Sequence, residues 1–148
     1  MTRIVQLQQT CRCGGEMIIH MHTLIYKARV KIEKVPVFMC QSCFTYEPHP
    51  AVKADLASLL AELGEAPGRL TISFVERNEW AFVLNSTFNG YTGEDRDLES
   101  AVRQAVAERI DLLLDILRVA TELSDKQWMN EIENRLLVLV PHYKTGVR

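Results

Sequence analysis

The spacing of apolar positions changes twice along this chain. From Thr23 to Glu33 apolar and polar residues alternate. Leu24, Tyr26, Ala28, Val30 and Ile32 fall on one face, with Ile25, Lys27, Arg29, Lys31 and Glu33 on the other, which predicts a strand. Val35-Pro36-Val37-Phe38-Met39 follows as a continuous apolar run, in which Pro36 restricts pairing to an edge or a strand start. Ile4, Val5 and Leu7 offer one further strand. At Val52 to Leu63 the period becomes helical, with Leu56, Leu59, Leu60 and Leu63 on one stripe and Gly64 to end it.

After Ala66-Pro67-Gly68 two β-rich runs, Arg69 to Val75 and Trp80 to Ser86, flank the polar Glu76-Arg77-Asn78-Glu79 and predict a hairpin. Asn89 to Gly93 predicts a turn. Beyond it, Leu98, Val102, Ala105, Val106, Ile110, Leu113, Leu117 and Ala120 recur at steps of three and four, the signature of a long amphipathic helix. Ser124-Asp125-Lys126-Gln127 predicts a capping box, and a last helix presents Trp128, Ile132, Leu136 and Leu139 before Pro141 stops it.

The cysteines add chemistry to this pattern. The 148 residues contain four, Cys11, Cys13, Cys40 and Cys43, in two close pairs on either side of the predicted strands. Two tight turns that face each other can bring four thiolates to one tetrahedral point, which is how a zinc ribbon is built. Cys40-Gln41-Ser42-Cys43 has the usual two-residue gap; Cys11-Arg12-Cys13-Gly14-Gly15 has one residue, with glycines able to take positive φ and free their amides toward a thiolate. Bound Zn2+ on all four sulfurs is the leading reading. One histidine from His20, His22 or His49 replacing a cysteine is a second, and a redox dithiol or plain buried cysteines a third. A three-stranded ribbon of this size has too little core to fold without its metal.

These residues resemble a known family. Cys-x-Cys-Gly-Gly, a basic strand containing tyrosine, then Val-Pro-Val-Phe-Met-Cys-Gln-Ser-Cys is similar to the zinc ribbon of YgiT-type or MqsA-type proteins, over residues 11 to 47. That family is the amino-terminal half of a bacterial antitoxin and regulator, so the resemblance implies a zinc site on the four cysteines and toxin neutralisation as an antitoxin-like role. The first pair is one residue short of the family's Cys-x-x-Cys, and Phe44 stands where glycine commonly follows the second pair. Residues 110 to 139, an aspartate-rich leucine helix followed by an Asp-x-x-Trp helix start, resemble the IDEAL helical module of Bacillus-type proteins, which implies a regulator or adaptor with no chemistry attached. No helix-turn-helix is recognisable.

The expected fold class is therefore α+β: a three-stranded zinc ribbon over residues 1 to 47, a linker helix over 48 to 66, and an α+β domain of hairpin and two helices over 67 to 148. Charge divides with it. Residues 1 to 47 carry six basic and three acidic side chains, against 11 and 16 in the remainder. Lys27, Arg29 and Lys31 form a period-two basic stripe that could hold phosphates or an acidic protein. The stretch from Ile110 to Leu117 is apolar around more of its circumference than one core stripe needs, which leaves Leu112 and Ile116 to be covered by the last helix, a second copy or a partner protein.

Other classes fall away on residues. The 47% apolar content with net charge -2 argues against disorder, no stretch of about 20 apolar residues exists for a membrane span, and Met1 to Thr10 lacks an apolar signal core, which predicts a cytoplasmic protein. Asp111 and Asp115 lie one helical turn apart without a partner histidine, Glu94, Asp95, Asp97 and Glu99 suit a helix start, and no phosphate loop or nucleophile elbow appears, so no enzyme is expected. Two readings result. The first is a zinc-binding regulatory or adaptor protein working by protein–protein contact, with a homodimer as one form. The second is a nucleic-acid-associated transcriptional regulator using the basic strand.

Overall fold

In a computed structural model, residues 7–64, 68–90 and 95–144 are described, and they combine an amino-terminal sheet with four helices. The strands are β1 (Gln8–Thr10), β2 (Glu16–Tyr26), β3 (Val30–Cys40), β4 (Tyr46–Pro48) and β5 (Leu70–Ser73), and the helices α1 (Lys53–Leu63), α2 (Glu79–Gly90), α3 (Asp95–Glu122) and α4 (Lys126–Lys144). Antiparallel pairing gives the order β1-β2-β3-β4, with β5 added to β3 in parallel. The mixed helix and sheet expected is present, and a curled antiparallel sheet takes the place of a three-stranded ribbon. Ile4 and Val5 lie outside the described residues; the strand formed next to them is Gln8–Thr10.

β3 is the central strand because its sequence tolerates burial on both sides. Val35, Pro36, Val37 and Phe38 are all buried, as a continuous apolar run in a covered sheet should be. β2 occupies one edge along its length, while β4 (opposite 37–39) and β5 (opposite 30–33) share the other. Pro36 sits mid-strand, contrary to expectation, and the ladder explains how. Its carbonyl accepts the His49 amide at 3.0 Å, just past the end of β4, so the donor that proline lacks also faces the point where that ladder stops.

The stretch Thr23–Glu33 is not one strand. Lys27 and Ala28 have φ of 53° and 59°, and the Arg29 amide donates to the Tyr26 carbonyl at 3.2 Å, which closes a turn centred on Lys27 and Ala28 within the three-residue loop between the paired Tyr26 and Val30. Alternation survives the reversal, since Leu24 lies opposite Ile32 and Tyr26 opposite Val30. Such a turn needs positive φ at both central residues and favours Asn-Gly; Lys-Ala gives no signal of it. We expect Ala28→Gly to stabilise the hairpin by about 1 kcal/mol, since a left-handed residue with a Cβ costs about that much. A denaturant midpoint that is unchanged or lower would contradict this.

A second irregularity lies at Thr23, which faces both Glu33 and Lys34 where the register slips. Lys34 takes φ 64° in this bulge. The extra residue moves buried positions from Val30 and Ile32 to Val35 and Val37 without turning the strand over.

The predicted hairpin at residues 69–86 does not form. Leu70–Ser73 is a strand but pairs with β3, and Trp80–Ser86 lies within α2. Asn78 caps that helix by accepting the Ala81 amide at 2.8 Å on Oδ1 while its Nδ2 donates to Asp55 at 2.7 Å. Trp80, Ala81, Val83 and Leu84 are buried at helical spacing. α1 forms as expected, with the Gly64 amide donating to Leu60 at 3.1 Å and φ 46° at Gly64.

Contacts divide the chain into one compact unit of Gln6–Asn85 and another that includes Ser86–Arg148. In the first unit, Phe38, His49 and Trp80 stack in series, with ring centroids 4.7 and 4.6 Å apart. In the second, α3 and α4 pack on each other and bury Val106, Leu113, Ala120, Ile132 and Leu139. Ser124 ends α3 with φ 56° as the Asp125 amide reaches the Ala120 carbonyl and the Ser124 amide that of Thr121. The cap of α4 is therefore Asp125, whose Oδ1 accepts the Trp128 amide at 3.0 Å, one residue later than the predicted Ser124. α4 continues through Pro141 to Lys144. Tyr91–Gly93 and Glu94 lie outside the described residues. No described helix is long and apolar enough to cross a membrane.

Candidate metal centre

The open end of the β2–β3 hairpin carries two short turns. In the first, which follows β1, the Cys11 amide donates to Gly15 at 2.8 Å and the Gly14 amide to Cys11 at 2.9 Å, with φ 93° at Gly14. In the second, which follows β3, the Phe44 amide donates to Cys40 at 3.1 Å and the Cys40 amide to Thr45 at 2.9 Å, with φ 64° at Phe44. β-pairing sets them face to face, because Met17 lies opposite Cys40 and the Gln41 amide donates to Glu16 at 2.9 Å.

The result is four sulfurs, from Cys11, Cys13, Cys40 and Cys43, all within 4.8 Å of one another. Cys11 and Cys43 are 3.7 Å apart and Cys13 and Cys40 3.5 Å. Sulfurs held ~2.3 Å from one tetrahedral ion stand ~3.8 Å apart, so the set fits such an ion closely. All four cysteines are free, with no disulfide among them. The single-residue gap in the first pair is no obstacle, since both short distances run between turns.

Backbone amides complete the site. Gly15 donates to Cys13 Sγ at 3.4 Å, and Ser42 and Cys43 donate to Cys40 Sγ at 3.3 and 3.4 Å. The Thr45 hydroxyl lies 3.1 Å from Cys43 Sγ and 3.8 Å from Cys11 Sγ. Such donors orient and stabilise thiolates. On the protein side Cys40 is buried with Met17 and Phe38, and Cys11 packs against them; Cys13 and Cys43 face solvent.

These contacts split the thiol acidities. The Thr45 hydroxyl, then its amide and Cys40, bring Cys43 down to about 6. Cys40 is lowered by the Cys43 amide against the opposing effect of burial. At Cys13 the Gly15 amide acts to lower the value, but hydrogen bonds with Cys40, Cys43 and Cys11 together with desolvation outweigh it and raise the thiol to about 11. Protons held on Cys13, Cys40 and Cys43 are those a divalent cation would displace.

Gly15 is required by space. A Cβ there would stand 2.6 Å from Ser42 Oγ, 2.8 Å from Ser42 Cβ and 3.0 Å from Cys40 Sγ. Ala at this position pushes the turns apart. We expect Gly15→Ala to weaken zinc binding at least ten-fold, as disturbed surroundings of a ligand do, and competition with a chromophoric chelator measures it.

None of the three histidines joins the sulfur cluster. His49 is buried, accepts the Ala51 amide at 3.0 Å on Nδ1 and stacks between Phe38 and Trp80; its role as a turn cap had no periodic signal in the sequence. His22 stacks on Tyr46 at 4.5 Å, and His20 is exposed. The basic residues are elsewhere. Lys27 and Arg29 lie in the hairpin loop and Lys31 is the second residue of β3, so they do not line one strand face, and about ten residues of strand, ~30 Å, separate them from the sulfurs. Lys27 donates to the Gly64 carbonyl at 3.3 Å and lies over the Tyr26 ring. Leu112 is exposed and Ile116 partly so on α3. Asp115 pairs with Arg118 at 3.3 Å, as a solvated helix edge does.

No family model, curated protein or solved structure matches this chain.

Proposed function

We propose that this chain is a non-catalytic zinc-binding protein of the regulatory or adaptor kind, which works in a bacterial cytoplasm through contact with another protein. The observation that carries the metal is the cluster of four sulfurs within 4.8 Å. Four cysteine ligands fill a tetrahedral shell and leave no position for water or substrate, which favours a structural ion over a catalytic one. The ion would tie the ends of β2 and β3 together and hold the turn that exposes Phe44. A metal used in this way supplies shape, and shape serves recognition.

Elemental analysis of freshly purified, reduced protein should return one zinc per chain. Affinity should rise with pH between about 6 and 11, because Cys43 is already a thiolate there while Cys13 must lose its proton to bind. Each proton displaced contributes a ten-fold change per pH unit. Sub-stoichiometric metal, or an affinity indifferent to pH across this window, would overturn the assignment.

A further inference from the structure

α3 carries a second apolar stripe besides the one that packs on α4. Val106, Leu113 and Ala120 recur every seven residues and are fully buried. About 90° round the helix, at 100° per residue, run Leu112, Ile116, Val119 and Leu123, at steps of four, three and four. This is heptad spacing, yet Leu112 is 46%, Val119 44% and Leu123 65% exposed, with Ile116 partly buried. Lone exposed leucines are ordinary; a four-position seam in register is a helix-docking face.

The charges beside the seam say what would lie on it. Glu108, Asp115 and Glu122, spaced by seven and all exposed, line its outer side. Their present contacts, Gln104 to Glu108 at 3.1 Å and Arg118 to Asp115 at 3.3 Å, are exposed and weak enough to exchange. The inner side is the buried stripe itself, and the one charge there among the described residues is Arg109, one step before Leu112 in the same heptad at the amino-terminal end of the seam. An antiparallel second copy would set acid against acid along the seam, and a parallel one would set acids against Leu113 and Ala120. Self-pairing is thus disfavoured, and flanking charge of this kind selects a partner of opposite sign.

We infer that α3 binds an amphipathic helix of a different protein through Leu112, Ile116, Val119 and Leu123, and that this helix carries lysine or arginine beside its apolar stripe. The inference rests on the interaction-protein reading and gives it a partner class.

The test uses the full zinc-loaded chain and two labelled 21-residue peptides with leucine at heptad positions, one flanked by lysines and one by glutamates. Fluorescence anisotropy should show the lysine peptide binding at least ten-fold more tightly, with the gap narrowing as salt rises. Glu108→Lys/Asp115→Lys/Glu122→Lys should reverse the preference, and Val119→Gln/Leu123→Gln should abolish binding of both; all five sites are exposed, so the fold is spared. Equal binding of the two peptides, a preference unmoved by charge reversal, or a micromolar homodimer that Leu123→Gln dissolves would each overturn the inference. Zinc is quantified in the same samples: failure of the peptides at full zinc content overturns the seam alone, whereas peptide binding to metal-poor protein supports the seam and counts only against the metal.

Discussion

Cys40→Ser is expected to abolish stoichiometric zinc and to destabilise the sheet unit by at least ~4 kcal/mol. That is under half of the ~10–16 kcal/mol apparent affinity of a structural four-ligand site, because β3 also pairs with β5 and buries Val30 and Ile32, a core that a three-stranded ribbon alone would lack, so we expect the loss to be confined to the turns. Cys40 is the most consequential of the ligands. It is buried, it accepts the Ser42 and Cys43 amides, and it touches both Cys13 and the Met17–Phe38 cluster. Serine keeps the size but binds zinc poorly and leaves a buried hydroxyl among apolar groups. The loss should be local. Val30–Glu33 is held by β2 and β5 and buries Val30 and Ile32, so it owes nothing to the sulfurs. Hydrogen exchange should therefore accelerate at Thr10–Gly15 and Cys40–Thr45 while β3 residues 30–35 and the α3–α4 amides keep their protection. Uniform loss of protection through the sheet would instead make the metal the nucleus of the whole unit, and unchanged zinc content would remove Cys40 from the site.

The cysteine centre was legible from sequence because its signal is local. Four residues in two turns fix the chemistry before any fold is known, and the apolar run Val35–Met39 pointed to the strand that aligns them. The helices α1, α3 and α4 were legible for a related reason, a sustained period of three and four. What failed was each place where backbone conformation departs from the usual residue preference. Lys27-Ala28 takes a turn written for Asn-Gly, Lys34 bulges, and Pro36 survives mid-strand because the opposite ladder ends there. The basic stripe was an artefact of the first of these: remove the turn and Lys27, Arg29 and Lys31 fall on one face. Long-range pairing was also invisible, since nothing in Leu70–Ser73 indicates that it joins β3 in parallel. His49 illustrates the same limit, as its cap and its two stacking partners are brought together only by the fold.

Trp80 is the residue on which the sequence reading and the structure differ most, and its removal has the second largest expected effect. An apolar run of five, Trp80-Ala81-Phe82-Val83-Leu84, fits a buried strand or a buried helix equally well by period. The deciding signal was Asn78, three residues before Ala81, whose side chain accepts the Ala81 amide and so starts a helix. In that helix Trp80 is fully buried, with its ring edge-on to His49, which in turn stacks on Phe38. Trp80→Ala should cost about 4 kcal/mol, the range for deleting a buried aromatic, because the cavity between a capped helix start and a sheet cannot collapse without moving one of them. Had Trp80 pointed outward from an edge strand, the cost would be within ~1 kcal/mol. The variant leaves Trp128 as the remaining tryptophan, on the α3–α4 pair. Its emission therefore reports the helical unit, while circular dichroism of the sheet and the zinc content report the other. We expect the sheet transition to move to lower denaturant and zinc to remain bound at low denaturant. A midpoint unchanged within error would place Trp80 at an exposed position and remove the Phe38–His49–Trp80 stack from the core.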